Sequence, residues 1–329
     1  MTIATASFSP DGKTLITGSL DGYLCEWDVD SGERRRVLLD PRGEEDERPR
    51  IVIVDENGHE EDAPFQLRRL SEDMRGSSIQ SVRFAPDGRR FAVGAADGRV
   101  VIWNASSRGE LVRWRAHGDG VRSIDFSPDG HLLATGSGEE DGTTVRVWEL
   151  EGSADGAPRE VFRDGSHVGG VTSLSFSGNS TLLAAGGYTF SGYTGPLLYD
   201  LRTRQRVGTF QWEITSALQL SPDAKLLASG DDYGTFSLWE VKRQNGIFSE
   251  KAGTALISVV QFAPDGRRVA AGDQSGRVTL WDVRAQRLVV EQAFDGPVAA
   301  LQFGSDGRDL LVAAGPEASG RPVIRRVRM

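Results

Sequence analysis

The chain has 329 residues, 38% of them aliphatic, aromatic or cysteine and 26% charged, with 40 glycines and one cysteine, Cys25. This excludes a disulfide scaffold and a cysteine-held zinc site, and no run reaches the roughly 18 consecutive apolar residues of a membrane helix. A net charge of −9 without a basic stretch argues against nucleic-acid binding, and Met1-Thr2-Ile3-Ala4 opens no secretory leader, so the expectation is a cytoplasmic, turn-rich, all-β protein.

Taken from the N-terminus, one phrase recurs seven times: Phe-Ser-Pro-Asp-Gly or a close variant begins at residues 8, 84, 126, 176, 220, 262 and 303. Apart from the first gap, the spacing clusters near ~42 residues, the period of a repeat built from four short strands. In each unit an alternating run such as Val121–Phe126 reads as a half-buried strand, and Pro-Asp-Gly supplies the turn that ends it. A second apolar run follows, as in Leu132–Ser137, then an Asp-Gly turn and a third strand ending in Trp, as at 278–282. A fourth strand, such as Glu110–Arg115, leads to the next unit. Helical periodicity is absent.

Two irregularities interrupt this order. After the expected outer strand at 33–39, the first gap carries about 34 extra residues, the excess over the repeat period. Residues 41–66 hold nine acids and three arginines, and the β-branched run 51–54 precedes a turn-like Asp55-Glu56-Asn57-Gly58. This predicts an extra hairpin on the outer rim of the first unit, with an acidic loop before it and a second outer-strand candidate at 65–70. The other irregularity is closure: strand 2–8 is already innermost, so unit seven is left with three strands of its own. Its open edge is expected to pair with the insert strand 51–54, a neighbouring chain or an upstream segment.

Five tryptophans, Trp27, Trp103, Trp148, Trp239 and Trp281, end third strands, and Trp27-Asp28 and Trp281-Asp282 are literal Trp-Asp dipeptides. Trp103-Asn104, Trp148-Glu149, Tyr199-Asp200 and Trp239-Glu240 are variants. On these residues the chain resembles the WD-repeat β-propeller family, with units of the bacterial type. The resemblance implies one seven-bladed propeller over 1–329, built of four-stranded antiparallel blades, the last short of a strand. It also implies a buried hydrogen-bonded tetrad, matched best by His117, Thr135, Asp141 and Trp148. Units one and two keep Asp21 with Trp27 and Asp97 with Trp103 but lack the His; unit four keeps His167, with Tyr199 in place of Trp.

Catalytic signatures are missing. Gly12-Lys13-Thr14 imitates the end of a phosphate loop, but the motif requires Gly where Ser7 stands. Of the four histidines, His117 and His167 fall at tetrad positions, His131 follows a turn and His59 lies in the acidic insert. No nucleophile–base–orienter set, cofactor site or metal site is expected. Segments 199–202 and 281–284 resemble a short box with which some family members dock on a ubiquitin-ligase adaptor.

The expected function is a non-enzymatic scaffold that binds a protein or peptide on the narrow face, where loops between strands two and three and between blades emerge. Tyr188, Phe190, Tyr193, Trp212, Glu213, Asp231, Tyr233 and Asp273 are the candidate contact residues, with Glu139, Glu140 and Asp232 beside them. Aromatics next to carboxylates suit a partner with Arg or Lys side chains. Neither nucleic acid nor membrane is expected as a partner. Two alternatives remain: a sensor or regulatory module of a larger multidomain signalling or defence protein, and a propeller enzyme of lactonase or lyase type, which would require carboxylates converging on the central channel.

Overall fold

A computed structural model describes residues 3–41, 77–138, 144–151, 156–165, 169–188, 195–210, 214–315 and 323–328, together with the backbone of 52–54 and 60–62. Blade one comprises β1 (Ile3–Phe8), β2 (Thr14–Ser19), β3 (Leu24–Asp28) and β4 (Arg34–Leu39). The insert follows as β5 (Val52–Val54) and β6 (Glu60–Asp62). Blade two is β7 (Ile79–Phe84), β8 (Arg90–Ala95), β9 (Arg99–Asn104) and β10 (Glu110–Arg115); blade three is β11 (Val121–Phe126), β12 (Leu132–Ser137), β13 (Val145–Glu149) and β14 (Arg159–Asp164). Blade four is β15 (Val171–Phe176), β16 (Leu182–Gly187), β17 (Leu197–Asp200) and β18 (Gln205–Thr209). Blade five is β19 (Ala217–Leu220), β20 (Leu226–Gly230), β21 (Thr235–Glu240) and β22 (Asn245–Lys251). Blade six is β23 (Ile257–Phe262), β24 (Arg268–Asp273), β25 (Arg277–Asp282) and β26 (Arg287–Ala293), and blade seven is β27 (Val298–Phe303), β28 (Asp309–Ala314) and β29 (Val323–Arg328). Six antiparallel sheets of four strands and one of three thus form a seven-bladed β-propeller, with the last blade one strand short as the sequence predicts.

The recurring phrase folds through its own side chains. In the first copy Gly12 N donates to the Ser9 carbonyl at 2.8 Å, and Thr14 N donates to Ser9 Oγ at 2.9 Å. Asp11 Oδ1 accepts from Lys13 N at 3.1 Å, and Gly12 takes φ +68°, where a side chain would be strained. The same pattern recurs at Ser127, Ser177 and Ser221. Ser180 and Ala224 occupy the left-handed position without being glycine, which explains why those two phrases look degenerate while their turns are preserved.

Each blade is buried on both faces, so second and third strands read as continuous apolar runs. Seven core clusters result, one at each joint between adjacent blades. The joint that closes the ring packs Phe8, Leu15 and Trp27 of blade one against Ala300, Leu311 and Ala313 of blade seven. Gln302 Nε2 adds a hydrogen bond to the Ser9 carbonyl at 2.9 Å. First strands are also tied by side chains: Ser7 Oγ accepts Phe84 N at 3.0 Å, and Ser175 Oγ accepts Leu220 N at 3.0 Å.

A residue without a side chain is required at every complete joint. Gly18, Gly94, Gly136, Gly186, Gly230 and Gly272 hold one position of the second strand, facing Ile79, Val121, Val171, Thr215, Ile257 and Val298 of the following blade. A Cβ on Gly230 would lie 2.5 Å from Ile257 Cβ. The high glycine content therefore serves blade packing as well as turns. Only the closing joint relaxes this, with Ala313 at the same position.

The insert does form a hairpin: β5 pairs antiparallel with β6 in the register Val52↔Asp62, Ile53↔Glu61, Val54↔Glu60. The pairing of 51–54 with blade seven, one of the three expected closures, is not what these strands do. A partner a few residues along the chain costs far less closure entropy than a blade edge, and among the described residues β5 pairs with β6 only. The second outer-strand candidate at 65–70 lies outside the described residues, as do 42–51.

Candidate functional site

Antiparallel topology sends the loops joining second to third strands, and those joining one blade to the next, to the same end of the ring. On that face Tyr188 and Tyr233 project from neighbouring blades. Tyr188 N donates to the Gly170 carbonyl at 3.0 Å, fixing the start of its loop, and its hydroxyl donates to Asp232 Oδ1 at 3.4 Å. Burial pushes the Asp232 carboxyl above the ordinary aspartate range; the Tyr188 hydrogen bond opposes this, and the adjacent Asp231 reinforces it. Burial likewise raises the Tyr188 hydroxyl, with Asp232 adding to the shift. Tyr233, the next residue after Asp232, is 63% exposed.

Asp231 and Asp273 hold equivalent places in blades five and six and are buried, at 8% and 4% exposure. Asp231 Oδ1 accepts the amides of Tyr233 and Thr235 at 2.9 and 2.6 Å. Asp273 Oδ1 accepts Ser275 N, Ser275 Oγ and Arg277 N at 2.9, 2.7 and 2.9 Å. These two carboxylates shape their turns and are withdrawn from the face where the sequence placed them. Asp232, second in rank by sequence, is the acid that faces Tyr188. Phe190, Tyr193, Trp212, Glu213, Glu139 and Glu140 lie outside the described residues.

Behind the face, Thr135 Oγ1 accepts Trp148 Nε1 at 3.0 Å and lies 2.8 Å from His117 Nε2; Asp141 lies outside the described residues. Trp27 and Trp239 find the corresponding hydroxyls of Thr17 and Ser229 at 2.8 and 2.9 Å. Blade six carries Ala271 at this position, and Trp281 turns to Thr279 Oγ1 at 3.1 Å. Tyr199, in place of Trp, donates to Asp164 Oδ2 at 2.9 Å. Blade two carries Val93, and buried Trp103 Nε1 has no partner among the described residues. Replacing Val93 with Thr should give this indole an acceptor and raise stability by about 1 kcal/mol, read as a higher Tm. An unchanged or lower Tm would mean that the hydroxyl costs more than the bond returns.

The central channel encloses a cavity of about 250 Å³ lined by the first strand of every blade, including Gln80, Arg83, Arg122, Ser123 and Gln261. One carboxylate, Asp125, lines a second cavity of about 330 Å³ that shares Ala6, Arg83, Val259, Gln261, Ala299 and Leu301 with the first. It is committed: Oδ1 accepts Arg83 Nε at 3.1 Å, and Oδ2 accepts Phe176 N at 2.9 Å. Burial raises its carboxyl, opposed by the Arg83 charge and the Phe176 amide. General acid–base work by paired carboxylates needs a second acid at this place, and the described channel lining supplies none. Among the described residues no group of three or more His, Cys, Asp and Glu could hold a metal ion.

Comparison with known proteins places this geometry in a family. The family described as WD domain, G-beta repeat matches residues 2–28, 67–104, 109–149, 159–192 and 245–282. These segments make up more than half of the chain, which belongs to this WD40 repeat family. It is 27% identical over 200 residues to "Probable U3 small nucleolar RNA-associated protein 18" of Schizosaccharomyces pombe, covering 55% of this chain and 37% of that protein. It is 29% identical over 115 residues to "Protein HIR1" of Yarrowia lipolytica, covering 35% of this chain and 9% of the relative. For "Protein hir-1" of Neurospora crassa the identity is 30% over 99 residues, covering 30% of this chain and 7% of the relative. The chain thus spans well under half of each of these relatives. All three are fungal, which overturns the expected bacterial type. The repeated phrase is fixed by the turn chemistry described above, which carries no mark of kingdom.

Proposed function

We propose that this propeller is a non-enzymatic interaction platform that takes a protein or peptide with basic side chains on the face carrying Tyr188, Asp232 and Tyr233. The observation behind the reading is the juxtaposition of a largely exposed tyrosine with a carboxylate already held by a second tyrosine from the next blade. Ring faces and a preset carboxylate together recognise a guanidinium or ammonium group. Membership of a family whose matched relatives include a protein named for association with a small nucleolar RNA is in keeping with a place inside a larger assembly. A second reading, a regulatory module within a longer protein, is favoured by the length of those relatives, of which this chain spans 37% or less.

The test is an array of peptides differing only in Arg, Lys or Ala at one position, bound to the wild type and to the double variant Asp232→Asn, Tyr233→Ala. Arg and Lys peptides are expected to bind at least tenfold more weakly to the variant, with its Tm unchanged. Because burial holds the Asp232 carboxyl above the ordinary aspartate range, wild-type affinity should fall with decreasing pH as the carboxylate takes up a proton, at a higher pH than for an exposed aspartate. The variant should lose that pH dependence. Equal binding by both proteins would move the site off this face.

A further inference from the structure

We infer that the central channel binds a small hydroxylated organic anion, with its charged group on Arg122 and its hydroxyls on Gln80, Gln261 and Arg83. The site lies inside the ring and does not rest on the reading of the narrow face given above. Along the channel, polar side chains of the first strands are as a rule taken up by the next blade. At the second strand position of blades four to six, Thr172 Oγ1 donates to the Thr215 carbonyl at 3.0 Å, Ser216 Oγ to the Ile257 carbonyl at 2.8 Å and Ser258 Oγ to the Val298 carbonyl at 2.6 Å. At the fifth position Ser7, Asp125 and Ser175 each accept an amide of the following blade.

Gln80 and Arg122 at the second position, and Arg83 and Gln261 at the fifth, keep polar atoms outside this rule, and all four line the cavity of about 250 Å³. Arg122 makes no hydrogen bond among the described residues. Its ion-pair partner, Asp119 Oδ2, is 3.7 Å away, and Asp119 Oδ1 accepts Gly120 N at 2.7 Å. Arg83 gives Nε to Asp125, which leaves both Nη groups as donors. The two guanidinium side chains keep 46% (Arg83) and 40% (Arg122) of their surface accessible, enough to meet a ligand. The amide oxygens of Gln80 and Gln261 are buried without a partner among the described residues. Ala4 and Ala299, at the second position in blades one and seven, are too short to cross the channel and meet them.

This lining makes two demands on one ligand. Buried acceptors at Gln80 and Gln261 call for hydroxyl donors. Arg122, with only a distant carboxylate, calls for an anionic group, and a charge-assisted bond there is stronger than a neutral one. A cation is disfavoured, because the described lining of this cavity holds two arginines and no acid. A neutral sugar would leave Arg122 unanswered, and a bare inorganic ion would leave the two amide oxygens so. The second and fifth positions of a strand lie about 10 Å apart, so a ligand touching both ends has the length of an open-chain sugar acid or a sugar phosphate. Carboxylate and phosphate share the chemistry that Arg122 recognises.

The probes are gluconate and glucose 6-phosphate, titrated into the full chain by isothermal titration calorimetry. Glucose and inorganic phosphate are the controls for hydroxyls alone and charge alone. At least one hydroxylated anion should bind at a single site, roughly tenfold or more tighter than either control, and its identity tells carboxylate from phosphate. Arg122→Gln, which leaves the Arg83–Asp125 pair in place, should weaken that binding roughly tenfold with Tm unchanged. Gln261→Leu should weaken it about threefold while raising Tm, since a buried unpartnered amide is removed. Asp232→Asn with Tyr233→Ala, on the narrow face, should leave it unaltered. Binding of neither anion, equal binding of a control, an affinity indifferent to Arg122→Gln, or a loss caused by the narrow-face variant would overturn the assignment.

Discussion

Gly230→Ala is expected to lower the unfolding free energy by about 3 kcal/mol, the upper range for forcing extra volume into a packed core. The added Cβ meets Ile257 Cβ at 2.5 Å, and atoms joined directly to the backbone cannot swing aside. Trimming Ile257 to Ala in the same chain should therefore rescue little, since Cβ remains. Gly272→Ala, 2.5 Å from Val298 Cγ1 and 2.8 Å from its Cβ, should behave alike. Ala313→Gly at the closing joint removes one methyl and should cost about 1 kcal/mol, typical of a small core deletion plus a flexible residue in a strand. Urea denaturation of the four variants gives the comparison directly. If Gly230→Ala and Ala313→Gly cost the same, the close approach of blades is not what holds glycine at this position.

That contrast also shows what the sequence discloses. The seven-fold phrase is legible because its turns are built from contacts within a few residues: Ser9, Asp11 and Gly12 satisfy one another without reference to the rest of the ring. The short seventh blade follows from counting strands. The joint glycines look like turn glycines in sequence, because their reason is a β-branched residue in the next blade, from 26 positions away (Gly272 and Val298) to 61 (Gly18 and Ile79). Acids in the 2–3 loops mislead for the opposite cause. Asp231 and Asp273 have the residue type of a binding site, yet both are buried and the turn amides two and four residues on engage Oδ1 of each. The pairing of Tyr188 with Asp232 spans two blades, and residue type and spacing give no sign of it.

Glu26 escaped the sequence for the same reason, and it carries the second large effect. Register places it where blades two to six hold Ile102, Val147, Leu198, Leu238 and Leu280. Its side chain is 2% exposed and bridged by Arg108 of the next blade, Nε to Oε2 at 3.0 Å and Nη2 to Oε1 at 2.7 Å. Arg35 lies at 3.6 Å as a weaker neighbour. Arg108 sits at φ +57° in the turn between third and fourth strands, and Gln244, at φ +54° in blade five, also reaches back, to the Val207 carbonyl at 2.9 Å. A side chain at this turn position that grips the preceding blade is thus a recurring device, and the ion pair is one version of it. Arg108→Gln leaves a buried carboxylate with only Arg35 and should cost about 3 kcal/mol. Glu26→Leu should cost less, about 1–2 kcal/mol, because a partly exposed Arg108 can turn to water. The double variant Glu26→Leu, Arg108→Gln copies the combination of Leu198 in blade four with Gln244 in blade five, and it should return to wild-type stability or exceed it, since buried ion pairs are often no better than apolar packing. A thermodynamic cycle from chemical denaturation would show a coupling of about 3 kcal/mol or more between the two positions. Additive losses would mean that the bridge contributes nothing beyond its two separate side chains, and the latch between blades one and two would then rest on the apolar cluster of Ile16, Ile79, Phe84 and Phe91 and on the hydrogen bonds from Phe84 N to Ser7 Oγ and Val82 N to Thr5 Oγ1.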